Sequence, residues 1–453
     1  MKKTADFTRG GILGPLVSFM IPILLAMLLQ DLYGAVDLLV VGRFAQTADV
    51  SGVTTGAQIM SLVMNFAVNF SMGITILLGQ QIGRGEREKG GRVIGAGIML
   101  FFVIGIVLSV LMLIFAGNVA GIMRAPQEAF DKTVQYITIC GGGSIVVIAF
   151  NLIGSIFRGL GDSRTPLLAV GIACVINIIG DLVLVAGFHM GAAGAAIATV
   201  AAQAGSVILS LMIISKRELP FTLRRKDLRF DTGIIRHITG LGLPLALQGT
   251  LVSLSFLVIL AIVNNLGVVE SAGMGIANRI IGFIMLTPAS FGQAMAAFVA
   301  QNAGAKLYRR ATGALRYGIM VSFCCGLVMG TLSFMFGEKL ALLFTVDHYA
   351  AAAAHSYLKA YAIDCLLTAF LFCFVGFFNG MGITRFVMLQ GIIGAFFVRV
   401  PASFLLSKWK PVSLFKIGLA TPMSTALQIV LCFICLRYVY RKYMQTEPSA
   451  YDL

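Results

Sequence analysis

Long apolar runs, broken at short intervals by polar clusters, follow one another along the whole chain. A bilayer-spanning helix needs about 20 predominantly apolar residues, and runs such as 93–116 and 167–188 reach that length. The pattern therefore predicts an all-α polytopic membrane protein with twelve transmembrane helices. The predicted spans are 12–42, 52–82, 93–117, 132–157, 166–188, 191–215, 234–266, 271–303, 313–343, 356–381, 386–407 and 414–440.

Basic residues lie mostly on one side of this predicted topology. An even number of spans places both termini on the same side, and that side carries 24 of the 34 Lys and Arg residues. Because basic loops favour the cytoplasmic side, we expect a multi-pass protein of the inner (cytoplasmic) membrane with both termini in the cytoplasm. The longest polar loop gives three predicted parts: an N-terminal six-helix bundle (1–215), a cytoplasmic linker loop (216–233) and a C-terminal six-helix bundle (234–453).

Composition excludes several classes of function. Charged residues make up 12% of the chain and apolar residues 58%, whereas a soluble domain has about 25% charged residues. A soluble enzyme and a nucleic-acid binder are therefore excluded, and the net charge of +15 is interpreted as a topology signal. Cys432 and Cys435 have a metal-site spacing, but they lie in an apolar run without a second Cys/His pair, which favours packing. We expect no catalytic residues, no metal beyond Na⁺ and no cofactor.

The two halves of the chain resemble each other. Residues 79–85 align with 300–306 at an offset of 221, and residues 157–164 align with 378–385 at the same offset. Six spans per half make the repeats parallel, so two bundles related by a pseudo-two-fold axis along the membrane normal are expected. Paired bundles of this kind are typical of secondary transporters that work by alternating access.

Prolines within the predicted spans are candidate hinges. Pro22 and Pro244 lie in the first span of each half at an offset of 222, and Pro288 lies in the middle of the eighth span. A proline inside a helix removes a backbone hydrogen bond and permits a kink. A static kink is the alternative interpretation, and the symmetric placement favours the hinge.

Three motifs carry a resemblance to a known family. They are FRGLGDSRTP at 157–166, LQDLYGAVDLLVVGR at 29–43 and NIIGD at 177–181. The chain resembles the multidrug and toxic compound extrusion (MATE) family over essentially its whole length, and it is most similar to the DinF-like bacterial branch. The resemblance implies export of organic compounds, often amphipathic cations, in exchange for H⁺ or Na⁺. We expect small-molecule substrates, a lipid environment, no nucleic-acid partner and a monomer.

Few acidic residues lie inside the predicted spans, and such residues are functional candidates because burying them is costly. A helix rises about 1.5 Å per residue, which places Asp37, Asp181 and Thr199 at similar depth in the N-terminal bundle. Two carboxylates in a pocket of low dielectric repel each other, so the pair is expected to hold a proton or Na⁺. A buried helix–helix polar contact is the alternative. The resemblance implies a coupling-ion site formed by Tyr33, Asp37, Tyr136, Asn151, Asn177, Asp181 and Thr199.

Other polar residues in the spans are candidates for a substrate cavity. They are Gln30, Asp31, Gln203, Gln248, Arg279 and Arg399. An acid at position 31 would favour cationic substrates, and the two arginines have a structural role as their alternative. Asp364 lies about one turn from the position that a C-terminal cation site of the family would use. A flippase for a lipid-linked cell-envelope precursor remains the alternative function.

Overall fold

The computed structural model describes residues 6–216 and 225–444, and these residues form helices joined by short turns. Within this described part of the chain there is no strand. The predicted linker 216–233 therefore lies partly outside the described residues. The α-helices are α1 (Leu13–Phe44), α2 (Thr47–Gly83), α3 (Arg87–Ile122), α4 (Phe130–Gly142), α5 (Ser144–Gly159), α6 (Arg164–Asp181), α7 (Gly191–Ser215), α8 (Thr232–Asn264), α9 (Val268–Gly304), α10 (Tyr308–Leu342), α11 (His348–Gly380), α12 (Thr384–Ile392), α13 (Val400–Lys408), α14 (Leu414–Gly418) and α15 (Ala420–Val439). π-Helical segments, Leu182–Gly187 and Ile393–Arg399, follow α6 and α12.

The helices account for the twelve predicted spans. In the described ranges, eleven helical segments are long and apolar enough to cross a membrane, and one further pair passes the same test together. That pair, α4 and α5, bends by 49° at the break between them. Gly143 lies at the break, where a Cβ atom would come within 2.7 Å of Val200 Cγ2. The prediction of an all-α protein with twelve spans is confirmed.

The described chain divides into two compact units. Residues 21–246 belong to unit 1, whereas residues 6–20 and the chain from 247 onward belong to unit 2. This division differs from the predicted one because it runs through α1 and α8 instead of through the linker. Their first turns pack in the unit that does not hold the rest of the helix, and Leu16 and Ile238 are fully buried there. Pro22 and Pro244 each lie within three residues of a unit boundary.

In unit 1, α2 packs against α4 and α5, and α6 packs against α7. The start of α8 approaches α2 closely, since a Cβ atom at Gly73 would lie 2.7 Å from the carbonyl oxygen of Ile238. The buried Asp49 carboxylate joins three helices: it accepts a hydrogen bond of 3.0 Å from the Ala192 backbone N–H and lies 3.3 Å from Lys132 Nζ. These contacts tie together the beginnings of α2, α4 and α7.

In unit 2, α11 packs against α9, α10 and α15. The segment before α1 is held here as well, with the Phe7 ring buried 5.0 Å from the rings of both Phe19 and Phe298. The Arg310 guanidinium donates hydrogen bonds of 2.6–2.9 Å to the carbonyl oxygens of residues 7, 9, 10 and 11. Asn302 Nδ2 also donates to the Phe7 carbonyl, at 3.2 Å. We call this arrangement the N-terminal clamp.

Candidate functional site

Two polar side chains of α1 point into unit 1 from the same face of the helix. Tyr33 and Asp37 are four residues apart, which places them one turn apart on a helix. The Asp37 side chain is only 7% exposed although it carries a carboxylate. A charged group buried to this extent needs a compensating partner.

Helices α6 and α7 supply the opposite wall of the site. Asn177 and Asp181 are one turn apart on α6, and neither is exposed. Asn177 Nδ2 donates to Thr199 Oγ1 on α7 across 3.5 Å, a long hydrogen bond. The helices approach closely because Gly180 has no side chain, since a Cβ atom there would lie 2.9 Å from the Cβ of Ala198. Asp181 is also the last residue of α6, directly before the π-helical segment Leu182–Gly187, and π-helical turns are frequent at functional sites.

The buried carboxylates of Asp37 and Asp181 interact electrostatically with each other. An ionised carboxylate only accepts hydrogen bonds, so two of them in contact lack a donor between them. At an effective dielectric constant of about 20, two like charges about 4 Å apart repel by about 4 kcal/mol. A proton or a cation between the oxygens would turn this repulsion into attraction.

A further polar interaction closes the arrangement into a ring. Gln203, one turn beyond Thr199 on α7, interacts with the Tyr33 hydroxyl. The ring therefore passes from α1 to α6, from α6 to α7 and back to α1. Several of its buried oxygens have no hydrogen-bond donor among the described residues, and they are Asp37 Oδ1, both carboxylate oxygens of Asp181, Asn177 Oδ1 and Gln203 Oε1. Hard cations such as Na⁺ bind oxygen ligands, and oxygens that lack a hydrogen-bond donor are suited to that role.

A buried apolar cluster, which we call the collar, includes Val40 and Val41, the neighbours of Asp37 on α1. Tyr136 interacts electrostatically with Asp37, and its ring belongs to the collar with Val40, Val41, Val53, Cys140, Val185, Ala192, Ala195 and Ala196. Gly56 on α2 makes room for this ring, because a Cβ atom there would overlap Tyr136 Cδ1. Sequence reasoning missed Gly56 and Cys140, since a lone glycine or cysteine in an apolar run carries no functional signal.

The remaining predicted residues lie elsewhere. Asn151 is buried on α5, and its Nδ2 donates to the Val147 carbonyl of its own helix at 2.8 Å. Among the cavity candidates, Gln203 joins the ring, Asp31 and Arg279 are exposed, Gln30 is half-buried and Arg399 is buried in unit 2. Gln248 is half-buried and packs against Gly391. The three candidate hinge prolines, Pro22, Pro244 and Pro288, are inside α1, α8 and α9.

Comparison with known proteins identifies the family. A model of the MatE family matches residues 22–183 and 244–405, which together cover well over half of the chain. The chain belongs to the MATE family. The two matched segments of this MATE protein begin 222 residues apart and end 222 residues apart, as an internal repeat requires. The resemblance to this family is thereby confirmed.

Relatives and solved structures agree with this assignment. This MATE protein is 26% identical to probable multidrug resistance protein YoeA of Bacillus subtilis (strain 168) over 431 residues, which are 94% of this chain and 93% of that protein. It is 24% identical to probable multidrug resistance protein NorM of Thermotoga maritima over 409 residues, which are 89% of this chain and 86% of that protein. A crystal structure of MATE in complex with MaL6 matches with a TM-score of 0.92 at 20% identity, over 98% of this chain and 100% of that one. That structural likeness shows the fold.

Proposed function

We propose that this protein is a secondary active antiporter that exports organic compounds, often cationic and amphipathic, in exchange for H⁺ or Na⁺ by alternating access. The observation that carries the proposal is the interacting pair Asp37 and Asp181, whose buried carboxylate oxygens lack hydrogen-bond donors among the described residues. The relatives named multidrug resistance proteins support the substrate class. The proposal includes a monomer in the cytoplasmic membrane with both termini inside.

The ring residues have distinct parts in this proposal. Asp37 and Asp181 bind the coupling ion, which neutralises their negative charges. When the ion leaves, the two carboxylates repel each other. Asn177, Thr199 and Gln203 position the oxygens around the ion, and the Tyr33 hydroxyl holds Gln203. The collar around Tyr136 excludes water, which strengthens every electrostatic interaction inside the ring.

Both candidate ions fit the same oxygens. A proton shared by the two carboxylates supplies the missing donor between them. Sodium would bind the carboxylate oxygens together with the amide oxygens of Asn177 and Gln203, since hard cations prefer oxygen ligands. If Na⁺ is bound, the amide oxygens of Asn177 and Gln203 are its neutral ligands. Each amide must then turn its oxygen toward the ion, because the flipped orientation would present nitrogen.

Transport in everted membrane vesicles tests the proposal. Ethidium efflux is measured under an imposed proton gradient and, separately, under an imposed sodium gradient. Asp37→Asn and Asp181→Asn should each reduce coupled efflux by at least about tenfold, because a loss of about 1.4 kcal/mol in ion binding has that effect. The gradient that drives wild-type efflux identifies the ion.

A matched control uses another buried carboxylate of unit 1. Asp49→Asn keeps an oxygen for the Ala192 N–H and lies outside the ring, so efflux should be retained. If both ring variants export ethidium as fast as the wild type, the coupling site is assigned wrongly. If no dye moves under either gradient, the antiporter proposal fails and a lipid-linked precursor becomes the substrate to test.

A further inference from the structure

A second buried charge pair lies in unit 2, apart from the ring. Asp364 on α11 is 1% exposed, and Arg399, the last residue of the π-helical segment Ile393–Arg399, is 5% exposed. The two side chains interact electrostatically. Burying an ion costs several kcal/mol even after the protein relaxes, so a pair placed this deep calls for an explanation.

Contacts fix the guanidinium in one position. Arg399 Nη1 donates to Ser255 Oγ at 3.2 Å, and Arg399 Cζ lies 4.3 Å from the centroid of the Phe256 ring, which is a cation–π contact. Thr425 interacts with the Asp364 carboxylate, and its hydroxyl donates to the Thr421 carbonyl of its own helix at 3.1 Å. Asp364 Oδ1 and Arg399 Nε have no hydrogen-bond partner within the described ranges.

The repeat relates this cluster to the ring of unit 1. The two family matches begin and end 222 residues apart, one residue more than the offset of the loop motifs 79–85 and 157–164. At 222, Tyr33 pairs with Ser255 and Asn177, six residues before the end of the first match, pairs with Arg399. Continued beyond the matched segments, the same displacement pairs Thr199 with Thr421 and Gln203 with Thr425. The same displacement carries Asp37 to Ile259 and Asp181 to Ser403. At the equivalent positions, unit 2 therefore has polar side chains on the corresponding helices, no carboxylate in place of Asp37 or Asp181, and a guanidinium in place of the Asn177 amide.

We propose that Arg399 is a tethered cation that occupies, in unit 2, the place that the coupling ion takes in unit 1, with Asp364 as its counter-charge. The inference rests on the proposed coupling function of the ring. An arginine side chain does not lose its proton in proteins, so this pocket of unit 2 contains a positive charge throughout the transport cycle. Arg399 is then the residue that restricts ion coupling to unit 1.

Removing the guanidinium should convert the pocket of unit 2 into an ion site. In Arg399→Asn the residue found at the equivalent position of unit 1 replaces the arginine. The buried Asp364 carboxylate is then left without a counter-charge, and Tyr357, Tyr361 and Thr425 are its uncharged polar neighbours. Since an uncompensated buried charge is strongly unfavourable, the pocket should take up a proton or Na⁺ from solution.

The experiment measures ion binding to the purified full-length protein in a background that lacks the unit 1 site. Radioactive Na⁺ binding by equilibrium dialysis and proton uptake with a pH indicator are the two readouts. Every background protein below carries Asp181→Asn together with Asp37→Asn, because a buried carboxylate left in the ring of unit 1 would itself take up a proton, and this background should bind no ion. Asp37→Asn combined with Arg399→Asn should regain one bound ion per molecule.

Two further variants separate a tethered cation from a packing role. Asp37→Asn with Arg399→Lys keeps a positive charge and should stay at background. Adding Asp364→Asn to the Asp37→Asn/Arg399→Asn protein should abolish the regained ion, because no acid remains in the pocket. A folded, monodisperse Asp37→Asn/Arg399→Asn protein that binds neither ion would overturn the proposal.

The reciprocal variant keeps the proposal testable if Arg399→Asn does not fold. Asn177→Arg places a guanidinium between the carboxylates of Asp37 and Asp181, so ion binding should fall to background and the thermal unfolding midpoint should cease to respond to Na⁺ and pH. Retained ion binding in a folded Asn177→Arg protein would contradict the inference. Failure of the proposed function has a separate signature, since the background protein with both Asp37→Asn and Asp181→Asn would then bind ions as the wild type does.

Discussion

At the level of single residues, the carboxylate pair of unit 1 depends on neighbours that carry no charge. Gly180 lets α6 and α7 approach until Asn177 reaches Thr199. Gly56 leaves space for the Tyr136 ring beside Asp37. Because protein interiors are close-packed, a single added methyl group at such a position displaces its neighbours.

Gly56→Ala should impair ion-coupled export without changing any polar residue of the ring. Its methyl group would push the Tyr136 ring away from Asp37, and overpacking of this kind costs about 1–3 kcal/mol. We expect a lower thermal unfolding midpoint and a severalfold slower ethidium efflux. Gly117→Ala on α3, where a Cβ atom meets nothing within 4 Å, is the matched control, and equal behaviour of the two variants would contradict this account.

Part of the ring was accessible from the sequence. Depth along the spans places Asp37, Asp181 and Thr199 at one level, and in the structure Thr199 accepts a hydrogen bond from Asn177, one turn before Asp181 on α6. The place of Gln203 was not predictable from depth alone, because its interaction with Tyr33 depends on how α7 is rotated against α1. Asn151 is the opposite case. It is among the predicted site residues, and its amide donates a hydrogen bond to a carbonyl of its own helix.

At the level of elements, α1 and α8 are each shared by both units. The first part of each helix packs in one unit and the remainder in the other, and Pro22 and Pro244 lie close to the two crossing points. A helical proline has no N–H to donate to the carbonyl four residues earlier, which for Pro22 is the carbonyl of Ser18. Both helices therefore lack a backbone hydrogen bond where they pass from one unit to the other.

Pro22→Ala should stiffen α1 at that crossing. Restoring the N–H favours a continuous helix by up to about 3 kcal/mol, so we expect a higher thermal unfolding midpoint together with severalfold slower dye efflux. Pro126→Ala, which changes a proline outside the α-helices, should alter neither quantity. Unchanged efflux in a stabilised Pro22→Ala protein would show that α1 does not bend there during transport.

The elements were predictable in number and position but not in their irregularities. Apolar length gives each span, because a helix must bury its own backbone hydrogen bonds in lipid. The 49° bend between α4 and α5 and the π-helical segments after α6 and α12 depend on neighbouring helices. The sharing of α1 and α8 between units was also hidden, since contacts between residues distant in sequence determine it.

At the scale of the whole molecule, the N-terminal clamp joins parts of the chain that are about 300 residues apart in the sequence. Phe7 and the residues after it bind side chains near residue 300 and at Arg310. Because Arg310 donates to four carbonyl oxygens at once, one side chain fixes the whole segment that leads into α1. A lysine offers a point charge and cannot reproduce this planar geometry.

Arg310→Gln should loosen the segment before α1. A hydrogen bond to a charged group contributes about 1.5–3 kcal/mol, so the thermal unfolding midpoint should fall and limited proteolysis should cut sooner between residues 7 and 12. Arg316→Gln, an exposed arginine on the same helix, serves as the control. Equal protease resistance of the wild type and Arg310→Gln would mean that the clamp does not hold this segment.

The clamp also has a consequence for biogenesis. The ribosome makes Phe7 about 300 residues before Arg310, and at roughly 5–20 residues per second this interval lasts roughly 15–60 s. During that time the beginning of α1 is in the membrane without the partners that later bury it. The first turns of α1 therefore complete their packing only after α10 has been made, and a chaperone or insertase that shields an unpaired helix would have α1 as a substrate.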